Sequence, residues 1–145
     1  NGVLGGLVGI TAGADLMLPT SSIIIGFISG PVVFLSSSLL EKAELDDPVG
    51  AIPVHLFCGI WGTLAVGIFG SLASFDQFMI QLACVGITGV FCIVAGTIIV
   101  QLVKAVKGLR VTEEAEEAGL DISEHDGSLA YAQFQITSKK YHSGK

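Results

Sequence analysis

Apolar positions fall in long blocks separated by a few charged residues, and the blocks set the number of elements. No Asp, Glu, Lys or Arg occurs in residues 16–40, 48–75 or 77–103, which are runs of 25, 28 and 27 residues. About 20 apolar residues cross the hydrocarbon core of a bilayer as a helix, so each run is long enough to span. A shorter block, 2–14, needs an upstream extension or the turn through Leu18 to complete a crossing. The pattern predicts four helices, at about 2–18, 21–40, 48–73 and 77–106. These make a transmembrane region over 1–109 and leave a polar tail over 110–145.

Within the blocks, small residues recur at helical spacing. Gly5, Gly9 and Gly13 come every four residues, Gly26 and Gly30 repeat the spacing in the second block, and Gly59, Thr63 and Gly67 in the third. In lipid, close packing over small residues drives helix association. The expected fold class is all-α, a polytopic membrane helix bundle.

Composition agrees: 51% of residues are hydrophobic and 14% charged, with 19 glycines and a mean hydropathy of +0.75. Soluble domains carry about a quarter charged residues. The chain opens on Asn1 with neither a Met nor a basic leader, so a preceding amino-terminal part is expected. With four crossings, Lys42 lies on one side, and Lys104, Lys107, Arg110, Lys139, Lys140 and Lys145 follow the fourth helix to that same side. The positive-inside rule then makes that side, with the carboxy terminus, cytoplasmic.

Three features bear on chemistry. Asp46-Asp47-Pro48 reads as an acidic cap with proline at the first helical position, which makes Asp46 and Asp47 a helix cap or part of a cytoplasmic vestibule. Pro53 cannot donate to the carbonyl of Val49 and should kink or open the first turns of the third helix. His55 stands eight residues beyond Asp47, about 12 Å along a helix, with no other ionisable residue except a thiol before Asp76. An ionisable group at membrane depth is a functional candidate, and a neutral imidazole has one donor and one acceptor nitrogen for a small polar molecule. A histidine that simply bonds a neighbouring helix fits these facts equally well.

Cys58, Cys84 and Cys92 each sit inside an apolar run and lack the paired, polar-flanked spacing of disulfide frameworks or zinc sites. No metal or other cofactor is expected. Nor is an enzyme, because no nucleophile has a base beside it and no carboxylate pair lies in the apolar runs. Seven dispersed Lys and Arg residues give no nucleic-acid surface. From Arg110 onward the tail holds seven acidic residues against four basic ones. One short helix is expected over 112–118, capped by Thr112 and ended by Gly119.

Three stretches resemble one family. DDPVGAIPVHLFCGIWGTLAVGIF (46–69) is similar to the tenth helix of the ammonium transporter family (Amt/Mep/Rh), NGVLGGLVGITAG (1–13) to its eighth, and GLRVTEEAEEAGLDISEHDGSLAY (108–131) to the cytosolic tail of its bacterial Amt-like branch. The order and spacing match, and the resemblance runs to about Tyr131.

It implies an eleven-helix, inverted-repeat fold of which this chain is a fragment holding the eighth to eleventh helices, in a homotrimer in the cell inner membrane. It further implies passage of ammonium/ammonia through a hydrophobic pore lined by two histidines. His55 matches the second of these, and the first would lie in the missing half with the external cation site. By family position Ala51, one turn before His55, and Thr11 would face the pore, although Thr11 can also bond back to its own helix. Ile52 and Pro53 depart from the commoner family residues. Gly108, Arg110, Gly119, Leu120 and Asp121 match the segment that docks PII-type regulatory proteins. That gives an alternative reading as an ammonium sensor or docking module. Trp61 reads as packing, and His125 and His142 lie in solvated segments without partners.

Overall fold

A computed structural model describes residues 1–124. The elements are α1 (Gly2–Thr11), α2 (Pro19–Lys42), a π-helical turn (Ile52–Phe57) continuous with α3 (Cys58–Ala65), α4 (Phe75–Lys107), α5 (Glu113–Ala118) and α6 (Leu120–Ser123), with no strand among the described residues. Two compact units divide the chain, Asn1–Val94 and Ala95–Lys145. α2 and α4 are each long and apolar enough to cross a membrane.

The observed bounds differ from the expected ones for local reasons. α1 stops at Thr11 because the chain turns at Gly13, whose carbonyl accepts from the N–H groups of Leu16 and Met17 at 3.0 Å. α2 starts at Pro19, whose fixed φ suits the first turn. The third helix begins at Ala51, not Pro48, since Gly50 adopts φ +70° and breaks the path before it. Past Ala65 the chain makes turns, with Gly70 at φ +84°. Ser74 Oγ then accepts from the Gln77 N–H at 3.1 Å and opens α4.

In the first unit, α1, α2 and α3 pack through glycine contacts. A Cβ at Gly5 would lie 2.5 Å from Val33 Cγ2 and 3.2 Å from Cys58 Sγ, and one at Gly9 would strike Ser29 Oγ. One at Gly62 would strike the Gly9 carbonyl oxygen, 3.0 Å from Gly9 Cα. The small-residue face of α1 is therefore used, but the partner in α3 is Gly62 and not Gly59. Gly30 and Gly59 have open space where a Cβ would stand, whereas the Gly26 backbone lies 3.8 Å from where a Cβ at Gly6 would stand, so of these three only the spacing at Gly26 falls at a helix contact.

Hydrogen bonds reinforce the same junction. The Ile25 carbonyl accepts from Ser29 Oγ at 2.9 Å and from Trp61 Nε1 at 3.1 Å. The Cys58 thiol donates to the Ser29 carbonyl at 3.6 Å. Trp61 thus packs, as its position suggested, and also ties α3 to α2. Among the described residues Ile25, Val33, Val54, Cys58, Ala65 and Val66 form the buried apolar core, while Phe27, Phe34 and Phe91 are largely exposed. Such a surface suits an apolar solvent.

The second unit carries the last turns of α4, with Lys104 and Lys107 at the carboxy-terminal end of the helix dipole. Gly108, at φ +78°, ends the helix. The short acidic helix expected over 112–118 is present as α5: Thr112 Oγ1 accepts from the Ala115 N–H at 3.4 Å, and Gly119 at φ +87° closes it. Arg110 Nε and Nη2 donate to the two carboxylate oxygens of Glu116, both at 2.7 Å. His125, Asp126, Tyr131, Lys139, Lys140, His142 and Lys145 lie outside the described residues.

Candidate functional site

The site begins with an accounting of backbone donors at the start of the third helix. The first N–H groups of a helix have no partner within it. Here Asp47 accepts both of the first two, Oδ1 from Ala51 at 2.9 Å and Oδ2 from Ile52 at 2.8 Å. Pro53 has no N–H to satisfy, and Val54 donates to the Gly50 carbonyl at 3.1 Å and starts the ladder. Every donor of the first turn is matched or absent, so this end can lie near the membrane without an orphan group. The bond from Ile52, with those from its neighbours, holds the Asp47 carboxyl below the usual carboxylate range. Asp46 is exposed and has no part in the cap.

Directly after this cap the helix winds as a π-helix over Ile52–Phe57 before becoming α-helical at Cys58. Pro53 and Val54 are buried, and His55 is exposed. π-turns are rare and concentrate at functional positions. The opening expected at Pro53 therefore takes the form of a wider turn that carries the histidine.

His55 lines a groove of roughly 530 Å³ together with Leu56, Gly59, Ile60 and Thr63 on one wall. The other wall is the stretch of α4 from Cys84 to Ile93, including Thr88, Gly89 and Cys92. Most lining groups are apolar; the imidazole and two threonines are the strongest hydrogen-bonding side chains. Such a groove favours a small, weakly hydrated guest over a charged one, because a bare charge there loses its water without gaining a partner.

The remaining candidates fall in different places. Ala51 is exposed one turn before His55 but does not line the groove. Thr11 donates its hydroxyl to the Leu7 carbonyl at 2.8 Å, which is the back-bonded arrangement. Gly108, Arg110, Gly119, Leu120 and Asp121 lie along one tail segment, where the two glycines take positive φ and Arg110 is paired. Residues that the sequence did not single out are Gly50, whose position three after the capping aspartate is the available signal, and Thr88, which carried none.

Helices with long charge-free runs, closed over glycines, with one histidine on an apolar groove, define a polytopic membrane protein of all-α class. The Ammonium Transporter Family profile matches residues 1–131. Ammonium transporter Amt2 of Archaeoglobus fulgidus is 37% identical over 154 residues, covering 94% of this chain and 33% of that protein. Ammonium transporter Amt2 of Methanocaldococcus jannaschii is 42% identical over 130 residues, covering 86% and 31%. The ammonium transporter of Bacillus subtilis is 36% identical over 144 residues, covering 90% and 35%. The chain belongs to the ammonium transporter family, and it spans about a third of the length of these relatives.

Proposed function

We propose that this chain forms part of a transporter that moves ammonium across the cell inner membrane as ammonia and a separately relayed proton. His55 is one of two imidazoles along the path, the other supplied from outside this sequence. The observation that carries the reading is His55 itself, on an apolar groove in a helix whose first-turn donors are all accounted for. A charge at the bilayer centre costs several kcal/mol, so release of the proton before the dry passage lowers the barrier, and an imidazole can exchange that proton near neutral pH. In this reading the protein is a homotrimer, and the basic residues Lys42, Lys104, Lys107 and Arg110 support a cytoplasmic side for the ends of α2 and α4 and for the tail.

The test is methylammonium uptake by full-length protein carrying His55→Ala. A changed rate or changed selectivity against potassium is expected, and wild-type behaviour in both refutes the pore role.

A second reading is supported by the tail. Its cap at Thr112, glycine turn at Gly119 and bidentate Arg110–Glu116 pair make an organised segment suited to a protein contact, here a PII-type regulator. Deleting residues 113–131 should abolish regulator pull-down and leave basal uptake measurable. Retained binding excludes docking through this segment.

A further inference from the structure

The helix that bears His55 changes its winding at the histidine, and the change has a calculable effect on where the ring points. An α-helix turns about 100° per residue, and the wider i→i+5 winding of a π-helix roughly 80–85°. Over the three steps from His55 to Cys58 the difference adds to roughly 50°. For a ring about 6 Å from the helix axis this is a displacement of about 5 Å.

The direction matters as much as the size. Leu56, Gly59, Ile60 and Thr63 line the groove at spacings of three, four and seven, one face of a helix. If the α-helix continued back through residue 55, the histidine would fall roughly 80° from Thr63, at the edge of that face. With the π-winding it falls roughly 30° from Thr63, beside Gly59. Gly59 has open space at its Cβ position, so nothing on its own helix displaces the ring from there.

The turn cannot relax by sliding, because both ends of the segment are held. Asp47 fixes the start through the Ala51 and Ile52 N–H groups, and Gly62 fixes the α-helical part against the Gly9 backbone. Pro53 lies between them. It has no N–H to close an α-turn on Val49, its ring would crowd that carbonyl, and it disfavours α geometry at Ile52.

We propose that Pro53 is a positioning residue, which enforces the π-helical turn over Ile52–Phe57 and so aims the His55 imidazole into the groove. The inference rests on the reading of His55 as a pore group for its functional consequence, whereas the geometric part stands separately.

The experiment uses full-length protein with ¹⁵N-labelled histidine in lipid bilayers, where His55→Ala assigns the His55 ring signals. Pro53→Ala restores the N–H and should shift the His55 ring resonances while leaving those of His125 and His142 in place. Unmoved His55 resonances overturn the proposal. In uptake, Pro53→Ala should lower the methylammonium rate about tenfold or more, as expected for an ångström-scale misplacement of a working group, but less than about twofold in a His55→Ala background. The same fold-loss in both backgrounds means that Pro53 acts on the bundle and overturns the proposal, as do shifted resonances with wild-type uptake where His55→Ala itself impairs uptake. Pro53→Ser restores the same N–H and is read in the same way if Pro53→Ala does not fold. If His55→Ala alone leaves uptake unchanged, the transport reading falls, and the resonances still decide whether Pro53 orients the ring.

Discussion

Replacing Gly62 by alanine tests the packing that fixes the histidine helix. The added methyl would fall on the Gly9 carbonyl, 2.8 Å from its carbon and 3.0 Å from Gly9 Cα. Ordinary contact for a Cβ begins near 3.4 Å, and backbone cannot rotate away, so α1 and α3 must separate by on the order of 1 Å. Small-to-large changes in tight packing cost about 1–3 kcal/mol. Alanine returns about 1 kcal/mol through its better helix propensity, which leaves a net loss of up to about 2 kcal/mol. The control is Gly59→Ala, where a Cβ meets open space: it should be neutral or stabilise by up to about 1 kcal/mol. The assay is denaturant unfolding of full-length protein in mixed micelles, followed by circular dichroism at 222 nm. If Gly62→Ala matches or exceeds the wild type while Gly59→Ala loses stability, the assignment of the contact to Gly62 is wrong.

Trp61→Phe removes one of two side-chain donors to the Ile25 carbonyl and should cost about 0.5–1 kcal/mol in the same assay; no loss would mean that the indole bond is incidental. Asp47→Asn should speed amide exchange at Ala51 and Ile52, because the cap loses its charge and one acceptor. Since the folded carboxyl titrates below its ordinary value of 3.8, its contribution is fully present above that value and is lost as pH falls through the lower folded one. The difference in midpoint between wild type and Asp47→Asn should therefore shrink below about pH 4, and a difference constant from pH 7 to 3 would contradict the carboxylate cap. Glu116→Gln breaks a pair whose side chains are 80% and 38% exposed, so the bundle's thermal midpoint should move by less than about 1 °C while α5 amides exchange faster. A large midpoint change would give the pair a role beyond the tail.

What the sequence made legible is what depends on neighbours in the chain. The charge-free runs place the helices, Thr112 and Gly119 bracket α5, and Asp47 caps, because each is a matter of local donors, acceptors and backbone preference. The contact at Gly62 was not legible, since the reading through Gly59, Thr63 and Gly67 assumed one uniform helical period. Rank within a glycine-rich helix depends on which face the partner occupies, and Gly59 faces the groove instead. Pro53 signalled an opening of the helix, but a kink, a break and a π-turn all relieve the same missing donor. The choice among them depends on what holds the two ends. The Arg110–Glu116 pair was hidden for a related reason: the two lie six residues apart across the start of α5, and their meeting follows from the path after Gly108.

These observations connect through one constraint. α1 presents Gly5 and Gly9 to α2 and α3, and α3 is fixed in rotation by Gly62 against Gly9 and by the Trp61 bond to Ile25. Its other end is fixed in register by Asp47, which holds two consecutive amides with one carboxylate. A segment pinned at both ends with one residue too many for an α-helix must store the excess between them, and Pro53 makes the first turns the least resistant place. The excess is therefore taken up at residues 52–57, where His55 lies. A change that loosens either end should let the segment turn about its axis and move the imidazole, even when the change does not touch the groove. Gly62→Ala and Asp47→Asn, seven and eight residues from His55 on opposite sides of it, should thus share one signature, a displaced His55 resonance, that a merely local loss of stability would not produce.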